Sequence, residues 1–456
     1  MPPVLTATAT HSGLRRVLAT RHVTMISMGG IIGAGLFVGS SAAIAAAGPA
    51  IVISYLLAGG LIFLVMRMLG EMAVALPDVQ SFTDFMRAGL GDWAGFITGW
   101  LYWYFWIVVV PVEAIAGAQL LHSWVAVPPW LLGAGLMLVM TGVNLMSARS
   151  YGEFEYWFAL VKITAILIFI ALAIAGVIAM HNGGQSSWAH LSDDGGFAPR
   201  GHLAVLAGVT TVIFALTGAE ITAVAAAESR EPVRALARLS TTVITRILLF
   251  YVVSMVLIVT IVPWRQVVPG HSPFTQALEL LHYRWAGAAL SVVILTAVLS
   301  CLNSAFYVTS RVLFALAARG DAPSALVRLN ARGVPSRSVW MGSVAGLAGI
   351  AAATLSPQGV FAFLVNASGA LILFIYLLTV IAQIRLRRAR SAAEQDQLAV
   401  KMWLFPWTSY AAAAGIVVVL VAMAFTSALT SQFYASVVAI AVACAAWWMR
   451  LRRTRI

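Results

Sequence analysis

Three ionisable side chains stand where ionisation is expensive. Lys162 lies in Leu160-Val-Lys-Ile-Thr164, Glu113 in Pro111-Val-Glu-Ala114 and Glu220 in Phe214-Ala-Leu-Thr-Gly-Ala-Glu-Ile-Thr222, each within an apolar run. At the centre of a bilayer such a group costs about 2.5–3.5 kcal/mol on insertion scales, so it usually faces the protein interior and has a use. Burial disfavours the charged form of an amine. A lysine held there can gain and lose a proton during a working cycle. Its ammonium can also stand in for a bound cation, donating to carbonyls of the first apolar segment and to Ser300, Asn303 and Ser304 of the eighth. The competing reading is a lysine that snorkels to the interface. Glu113 reads as a proton carrier, a vestibule residue or a structural acceptor. Glu220 reads as a proton carrier or a contact for a substrate ammonium. Glu228, followed by Ser229-Arg230-Glu231-Pro232, reads as an inner gate or cap, and Glu71 as one member of a pair on the inner face.

The backbone offers chemistry as well. Gly29, Gly30, Gly33, Gly35 and Gly39 crowd the stretch from Ser27 to Ser40. Close helix packing is one reading, because two pairs fit G-x-x-x-G. The other is an unwound segment at Ile32-Gly33-Ala34-Gly35 whose freed amides bind a ligand, since unpaired backbone at membrane depth is tolerated only where it lines a cavity or is buried in protein. A second interruption falls at Thr217-Gly218, beside Glu220. Two such breaks in corresponding positions of two halves point to a substrate site near the midplane, with helix ends facing the charged groups of the substrate. Ile32, Gly33, Ala34 and Gly35, with Phe214, Ala215, Thr217, Gly218 and Glu220, are therefore the expected binding residues. Tyr102 and Trp103, in the aromatic run Trp100 to Trp106, are expected at a gate, an interfacial belt being the alternative.

The elements that hold these residues are helices in lipid. The 456-residue chain is 61% hydrophobic and 10% charged, whereas soluble domains carry about 25% charged residues. Apolar runs long enough to cross a bilayer fall at ~23–47, ~50–76, ~94–121, ~128–146, ~155–180 and ~203–227, then at ~239–263, ~286–316, ~337–355, ~359–383, ~405–428 and ~432–449. We call them spans 1 to 12; spans 3 and 8 are long and are expected to tilt. Of the 28 Lys and Arg residues, 24 fall on one side if both termini are inside, three (Arg200, Arg265 and Arg284) fall on the other, and Lys162 lies within span 5. This is the positive-inside bias. The net charge of +12 is thus a topology device facing anionic lipid, and no aromatic-basic pattern supports nucleic acid as a partner.

Enzyme signatures are missing: no G-x-S-x-G elbow and no phosphate loop or dinucleotide fingerprint. The eight His residues are scattered, without metal-ligand spacing, so no metal, cofactor or obligate partner is expected. Cys301 and Cys444 read as buried thiols. The segment Met1 to His22 is polar and basic, so span 1 is expected to act as an uncleaved anchor.

The chain resembles the amino acid–polyamine–organocation superfamily, in its bacterial amino acid permease branch. The matching stretches are Gly30-Ile-Ile-Gly-Ala-Gly-Leu-Phe-Val-Gly-Ser40, Gly70-Glu-Met-Ala-Val74, Thr217-Gly-Ala-Glu-Ile221 with Ala225-Ala-Ala-Glu-Ser229, Ser300-Cys-Leu-Asn-Ser-Ala305, Ser310-Arg-Val-Leu-Phe-Ala315 and Arg319-Gly-Asp-Ala-Pro323. Within that branch it is most similar to 4-aminobutyrate (GABA) permeases, on Arg21-His-Val-Thr-Met25, Gly99-Trp-Leu-Tyr-Trp103, Pro111-Val-Glu-Ala114, Tyr151-Gly-Glu-Phe-Glu155 and Met402-Trp-Leu-Phe-Pro-Trp407.

The resemblance implies an all-α polytopic membrane protein of 12 transmembrane helices with a 5+5 inverted-repeat, leucine-transporter-like core. It implies import of an amino acid driven by the proton gradient, in the bacterial inner membrane, by rocking of a bundle against a scaffold. Lys162 would take the place of a sodium site, with Ser300, Ser304, Glu113 and Glu220 as further coupling residues, and Gly33 to Gly35 would bind the substrate carboxylate. Ala34 departs from the family, where many relatives carry Ser or Thr, which leaves backbone amides to hold the carboxylate. The expected division is a tail over ~1–22, a transport core over ~23–384 with repeats at ~23–180 and ~203–384, a loop at ~385–404, two further helices over ~405–449 and a tail over ~450–456. An exchanger of the same fold, a permease for proline, aromatic or basic amino acids, and a receptor that has lost transport are the alternatives. A channel is disfavoured, because no ring of charges or carbonyls recurs.

Overall fold

The computed structural model describes residues 25, 32–77, 79, 82–146, 148–183, 187–218, 220–221, 247–427 and 429–454. Within them the chain is helical, and each predicted span holds a helix. Span 1 is a π-helical turn, Gly35–Gly39, running into α1 (Ser40–Ala47). A 3-10 turn at Gly48–Ala50 bends the chain into α2 (Ile51–Ala75), which is span 2. The short amphipathic α3 (Phe82–Leu90) leads to α4 (Asp92–His122), α5 (Pro129–Asn144) and α6 (Ala148–Asn182), which are spans 3, 4 and 5. Span 6 begins as α7 (His202–Leu216), and span 7 ends as a π-helical turn, Ile247–Val252, continued by α8 (Val253–Ile261). A short helix, α9 (Pro273–Leu280), precedes α10 (Arg284–Ala318), α11 (Ser336–Ala353) and α12 (Pro357–Arg388), which are spans 8, 9 and 10. The small α13 (Ala392–Asp396) is followed by α14 (Trp407–Phe425) and α15 (Thr430–Thr454), spans 11 and 12.

Residue chemistry accounts for the boundaries. Proline opens α5, α9 and α12 at the first helical turn, where its missing amide costs nothing and its fixed φ suits a helix. Ser356 caps α12 by accepting from the Gly359 amide at 3.3 Å. The 31-residue α4 and 35-residue α10 rise ~46 and ~52 Å at 1.5 Å per residue, well beyond the ~30 Å hydrocarbon core, as the expectation of tilted spans requires.

The packing is that of two related halves. Span 1 packs on span 6, span 2 on span 7, span 3 on span 8 and span 4 on span 9. Each of these partners stands five positions further along the chain, as in an inverted pair of five-helix repeats. The ten-helix core buries long side chains tightly, among them Tyr55, Tyr251, Tyr307, Tyr376 and Phe274. In contrast α14 and α15 leave Val417, Val418, Val421, Phe425, Val438 and Val442 exposed, which is the composition of a surface solvated by lipid. Cys444 lies on this exposed surface of α15, contrary to the expectation of a buried thiol, whereas Cys301 is buried in the core.

Candidate functional site

At both predicted interruptions the described backbone is non-helical. In span 1 Ile32 and Gly33 are non-helical, and the helix begins beyond them, with the Leu36 and Phe37 amides both donating to the Gly33 carbonyl at 3.2 Å. A β-carbon at Gly33 would lie 2.7 Å from Cys301 Cβ and 2.9 Å from Glu113 Oε1, and one at Gly35 would lie 2.9 Å from Ala215 Cα. The packing and unwound readings of these glycines therefore coexist: without side chains, Gly33 lies against the Glu113 and Cys301 side chains of α4 and α10, and Gly35 against the backbone of α7. In span 6 α7 ends at Leu216, Thr217 is extended, and Gly218 has φ +114°, a value that glycine adopts at no steric cost. Thr217 Oγ1 donates to the Ile213 carbonyl at 2.6 Å, closing the last turn of α7.

Each break is capped by a carboxylate of the chain itself. The Ala34 amide donates to Glu113 Oε2 at 3.1 Å, and the Gly218 amide donates to Glu220 Oε2 at 3.1 Å. The Tyr376 hydroxyl of α12 donates to that same Glu220 oxygen at 3.1 Å. Glu113 and Glu220 are both buried. Between the breaks lies a cavity lined by Gly35, Phe105, Trp106, Val109, Glu113, Phe214, Thr217 and Cys301. Its volume is about 20 Å³, space for about one water and none for an amino acid.

Lys162 is enclosed by protein. Because α6 starts at Ala148, Lys162 stands ~21 Å along the helix by its rise, with no exposed surface. That removes the snorkelling alternative. Its Nζ donates to Ser300 Oγ at 2.8 Å and lies 3.5 Å from Glu155 Oε1. Ser300 in turn donates to Glu155, 2.8 and 2.7 Å from its two oxygens. Ser304 Oγ donates to Glu155 Oε2 at 3.3 Å and meets the Tyr151 hydroxyl at 3.1 Å. Glu155 is the residue that sequence reasoning passed over. On a helix drawn from ~155 it stands at the boundary; its seven-residue spacing from Lys162, two helical turns, is the available signal.

Other expected residues fall elsewhere. Asn303 accepts from Asn144 Nδ2 of α5 at 2.7 Å, so it joins α10 to α5 as well as flanking the Lys162 cluster. Neither Tyr102 nor Trp103 lines the cavity. Tyr102 packs against Phe82 and Trp106, and Trp103 sits edge-on to Trp100 beside Leu313 and Leu326. The aromatic wall is formed by Phe105 and Trp106 instead, because helical rotation turns Trp103 toward the end of α10. Glu228 lies outside the described residues. Glu71 is paired: it accepts from Gln383 and Arg387, both at 3.0 Å, and from the Met402 amide at 2.5 Å. This ties α2 to α12 and to the segment that follows it.

Known proteins of similar sequence and shape bear on the family and the fold. The chain is 41% identical to the gamma-aminobutyric acid permease of Bacillus subtilis over 92% of its own length and 90% of the relative's. It is 43% identical to the gamma-aminobutyric acid permease of Escherichia coli over 90% and 89% of the two chains, and 46% identical to a probable GABA permease of Pseudomonas aeruginosa over 86% and 84%. In shape it matches a manganese transporter of Eremococcus coleocola with a TM-score of 0.59 at 13% identity, covering 100% of this chain and 97% of that one; at that identity the likeness speaks for the fold alone. The amino acid permease family matches residues 22–455, and with two interrupted spans meeting at a small central cavity, this chain is a multi-pass membrane protein that belongs to the amino acid permease family of transporters.

Proposed function

We propose that the protein imports GABA together with protons across the bacterial inner membrane, with both termini in the cytoplasm, by alternating access around the breaks in spans 1 and 6. The observation that carries this reading is the pair of carboxylate-capped breaks facing one cavity beside a buried lysine. The amide of Ala34 opens a helix N-terminus, where backbone donors and the helix dipole favour an anion. It already holds a carboxylate, that of Glu113. A substrate carboxylate takes the same amide once Glu113 is protonated and swings away. The substrate ammonium then faces the C-terminal end of α7 near Phe214 to Thr217, where the dipole is negative, and Glu220. The amide site explains how Ala34 serves without a side-chain hydroxyl. Substrates with a carboxylate at one end and an amine at the other fit such a pair of opposed helix ends, and the names of the relatives favour GABA among them. Lys162 links proton binding to the position of span 1, within repeats covering ~23–180 and ~203–384.

The reading is tested in proteoliposomes with an inward proton gradient, using labelled GABA challenged by each common amino acid. Saturable accumulation displaced by unlabelled GABA is expected. Displacement by proline, aromatic or basic amino acids but not by GABA would reject the substrate, and counterflow without gradient-driven uptake would make the protein an exchanger. Lys162→Ala leaves Glu155 buried without its cation, a change of ~3–5 kcal/mol, and is expected to abolish accumulation; accumulation at the wild-type level would remove Lys162 from coupling.

A further inference from the structure

We propose that Glu155 is the second ionisable member of the coupling site, and that Ser300 passes a proton between it and Lys162. The inference rests on the proton-coupled reading above. It concerns how the proton is held, a role that the sequence reading gives to Lys162, Glu113 and Glu220 with the hydroxyls of Ser300 and Ser304.

The geometry has a direction. Lys162 and Glu155 stand seven residues, two turns, apart on the same face of α6, and both have no exposed surface. Ser300 of α10 lies between their heads. It carries a single hydroxyl proton, and that proton is turned to Glu155, 2.8 and 2.7 Å from the two carboxylate oxygens. Its lone pairs are therefore left to accept from Lys162 Nζ at 2.8 Å. The direct Lys162–Glu155 separation is longer, 3.5 Å, so the shorter route runs through the hydroxyl. One concerted shift is balanced: an Nζ–H bond of Lys162 breaks as a bond to Ser300 Oγ forms, and the original O–H of Ser300 breaks as a bond to Glu155 forms. The ammonium–carboxylate pair becomes an amine and a carboxylic acid, and net charge stays at zero. Water stabilises the charged pair strongly, but a buried ion pair loses most of that solvation, so its advantage over the neutral pair is small. Two states of similar energy at one site are what a coupling device needs.

Among the described residues, the groups facing this site come from α6, α10 and α4. On α6, Tyr151 meets Ser304 Oγ at 3.1 Å and stacks on Tyr307 of α10 at 4.0 Å. Arg311, one turn beyond Tyr307, lies 4.3 Å over that ring. Cys301 is the neighbour of Ser300 in sequence, and across it Glu113 of α4 approaches Gly33. Because Ser300 and Ser304 are both on α10, the carboxylate that receives the proton is fastened to the helix whose Cys301 lies against Gly33 of span 1.

The test separates a relay from a structural ion pair. Ser300→Ala leaves both charges in place and removes only the bridging hydroxyl, whereas Ser300→Thr keeps it. In proteoliposomes, Ser300→Ala and Glu155→Gln are each expected to lower proton-driven GABA accumulation about tenfold or more and to flatten its dependence on pH, with Ser300→Thr recovering both. Glu155→Gln with Lys162→Met removes both charges together; it is expected to give monodisperse, thermally stable protein that does not respond to the gradient. Wild-type accumulation and pH profile in Ser300→Ala would overturn the relay, as would gradient-driven uptake by the doubly neutral variant. Failure of the wild-type protein itself to accumulate GABA under the gradient would instead reject the symport reading on which the relay stands.

Discussion

The breaks in spans 1 and 6 have the same chemistry and opposite reach. At each, an amide freed by the interruption donates to a buried carboxylate over 3.1 Å. Glu220 lies two residues from the amide it caps, so it travels with its own segment. Glu113 lies 79 residues from Ala34, on α4, so the bond joins span 1 to a different helix. If span 1 moves against α4 during transport, the Glu113 bond must break while the Glu220 bond can persist. Symmetry of chemistry thus conceals a difference in reach: one cap fastens two separate helices together, the other is a local brace, itself steadied by Tyr376 from α12.

The largest effect should come from removing the remote cap. Glu113→Ala leaves the Ala34 amide buried without its acceptor, costing ~1–3 kcal/mol for the lost partner and more for the space vacated. GABA uptake should fall by about 30-fold or more. Glu113→Gln keeps an acceptor of the same length but no ionisable group, so it should retain substrate binding and lose the pH dependence of uptake. Radiotracer uptake at several pH values checks both. If Glu113→Ala transports like the wild type, the fastening is dispensable and the contrast between the two breaks disappears.

That contrast also marks where reading the sequence worked. The Glu220 cap is legible because a glycine, an interruption and a carboxylate fall within a few residues of one another, and local chemistry follows from local sequence. Twelve apolar runs were legible for the same reason: helix formation in lipid is dictated segment by segment. The Ala34–Glu113 bond is set by how α4 packs against span 1, and no spacing in the chain encodes a distance between helices. Glu155 was hidden by the helix boundary. The charge-bearing part of α6 extends to Ala148, ahead of the apolar run that hydropathy detects, so a buried carboxylate was taken for the edge of a span. Trp103 misled in the opposite sense: an aromatic run on a helix shows each face in turn, and only packing tells which ring reaches the cavity.

A smaller effect is expected at the brace. Tyr376→Phe deletes one donor to Glu220 while keeping the ring packed in the core. A hydrogen bond to a charged group contributes about 1.5–3 kcal/mol, and the Gly218 amide still holds the carboxylate, so the effect should lie at the low end: a rise of about tenfold in the GABA concentration giving half-maximal uptake, with little change in maximal rate. A fall in maximal rate with unchanged half-saturation would mean that Glu220 acts in the conformational step and would erase the distinction between brace and fastening.

The smallest effect belongs to a third carboxylate cap, in water. Glu394 accepts from the Ser391 hydroxyl at 2.7 Å and from the Ser391 amide at 2.8 Å, while the Glu394 amide donates back to Ser391 Oγ at 3.4 Å. This capping box opens α13 with the same amide-to-carboxylate chemistry as the two breaks, but the side chain is exposed. The Ser391 hydroxyl, and after it the Ser391 amide, hold the Glu394 carboxyl below its ordinary range. A carboxyl depressed in the folded state contributes stability above its unfolded value and loses that contribution as pH falls through the folded value, so any weakening of α13 belongs to the acid side of its titration. Carbon-detected NMR in detergent should find Glu394 titrating below its position in a Ser391→Ala variant. Because water solvates the freed groups at no great cost, Glu394→Gln should leave GABA uptake and thermal stability unchanged within error. A loss of uptake in Glu394→Gln as large as that in Tyr376→Phe would show that burial is not what separates these caps, and the ranking from Glu113 downward would need another cause.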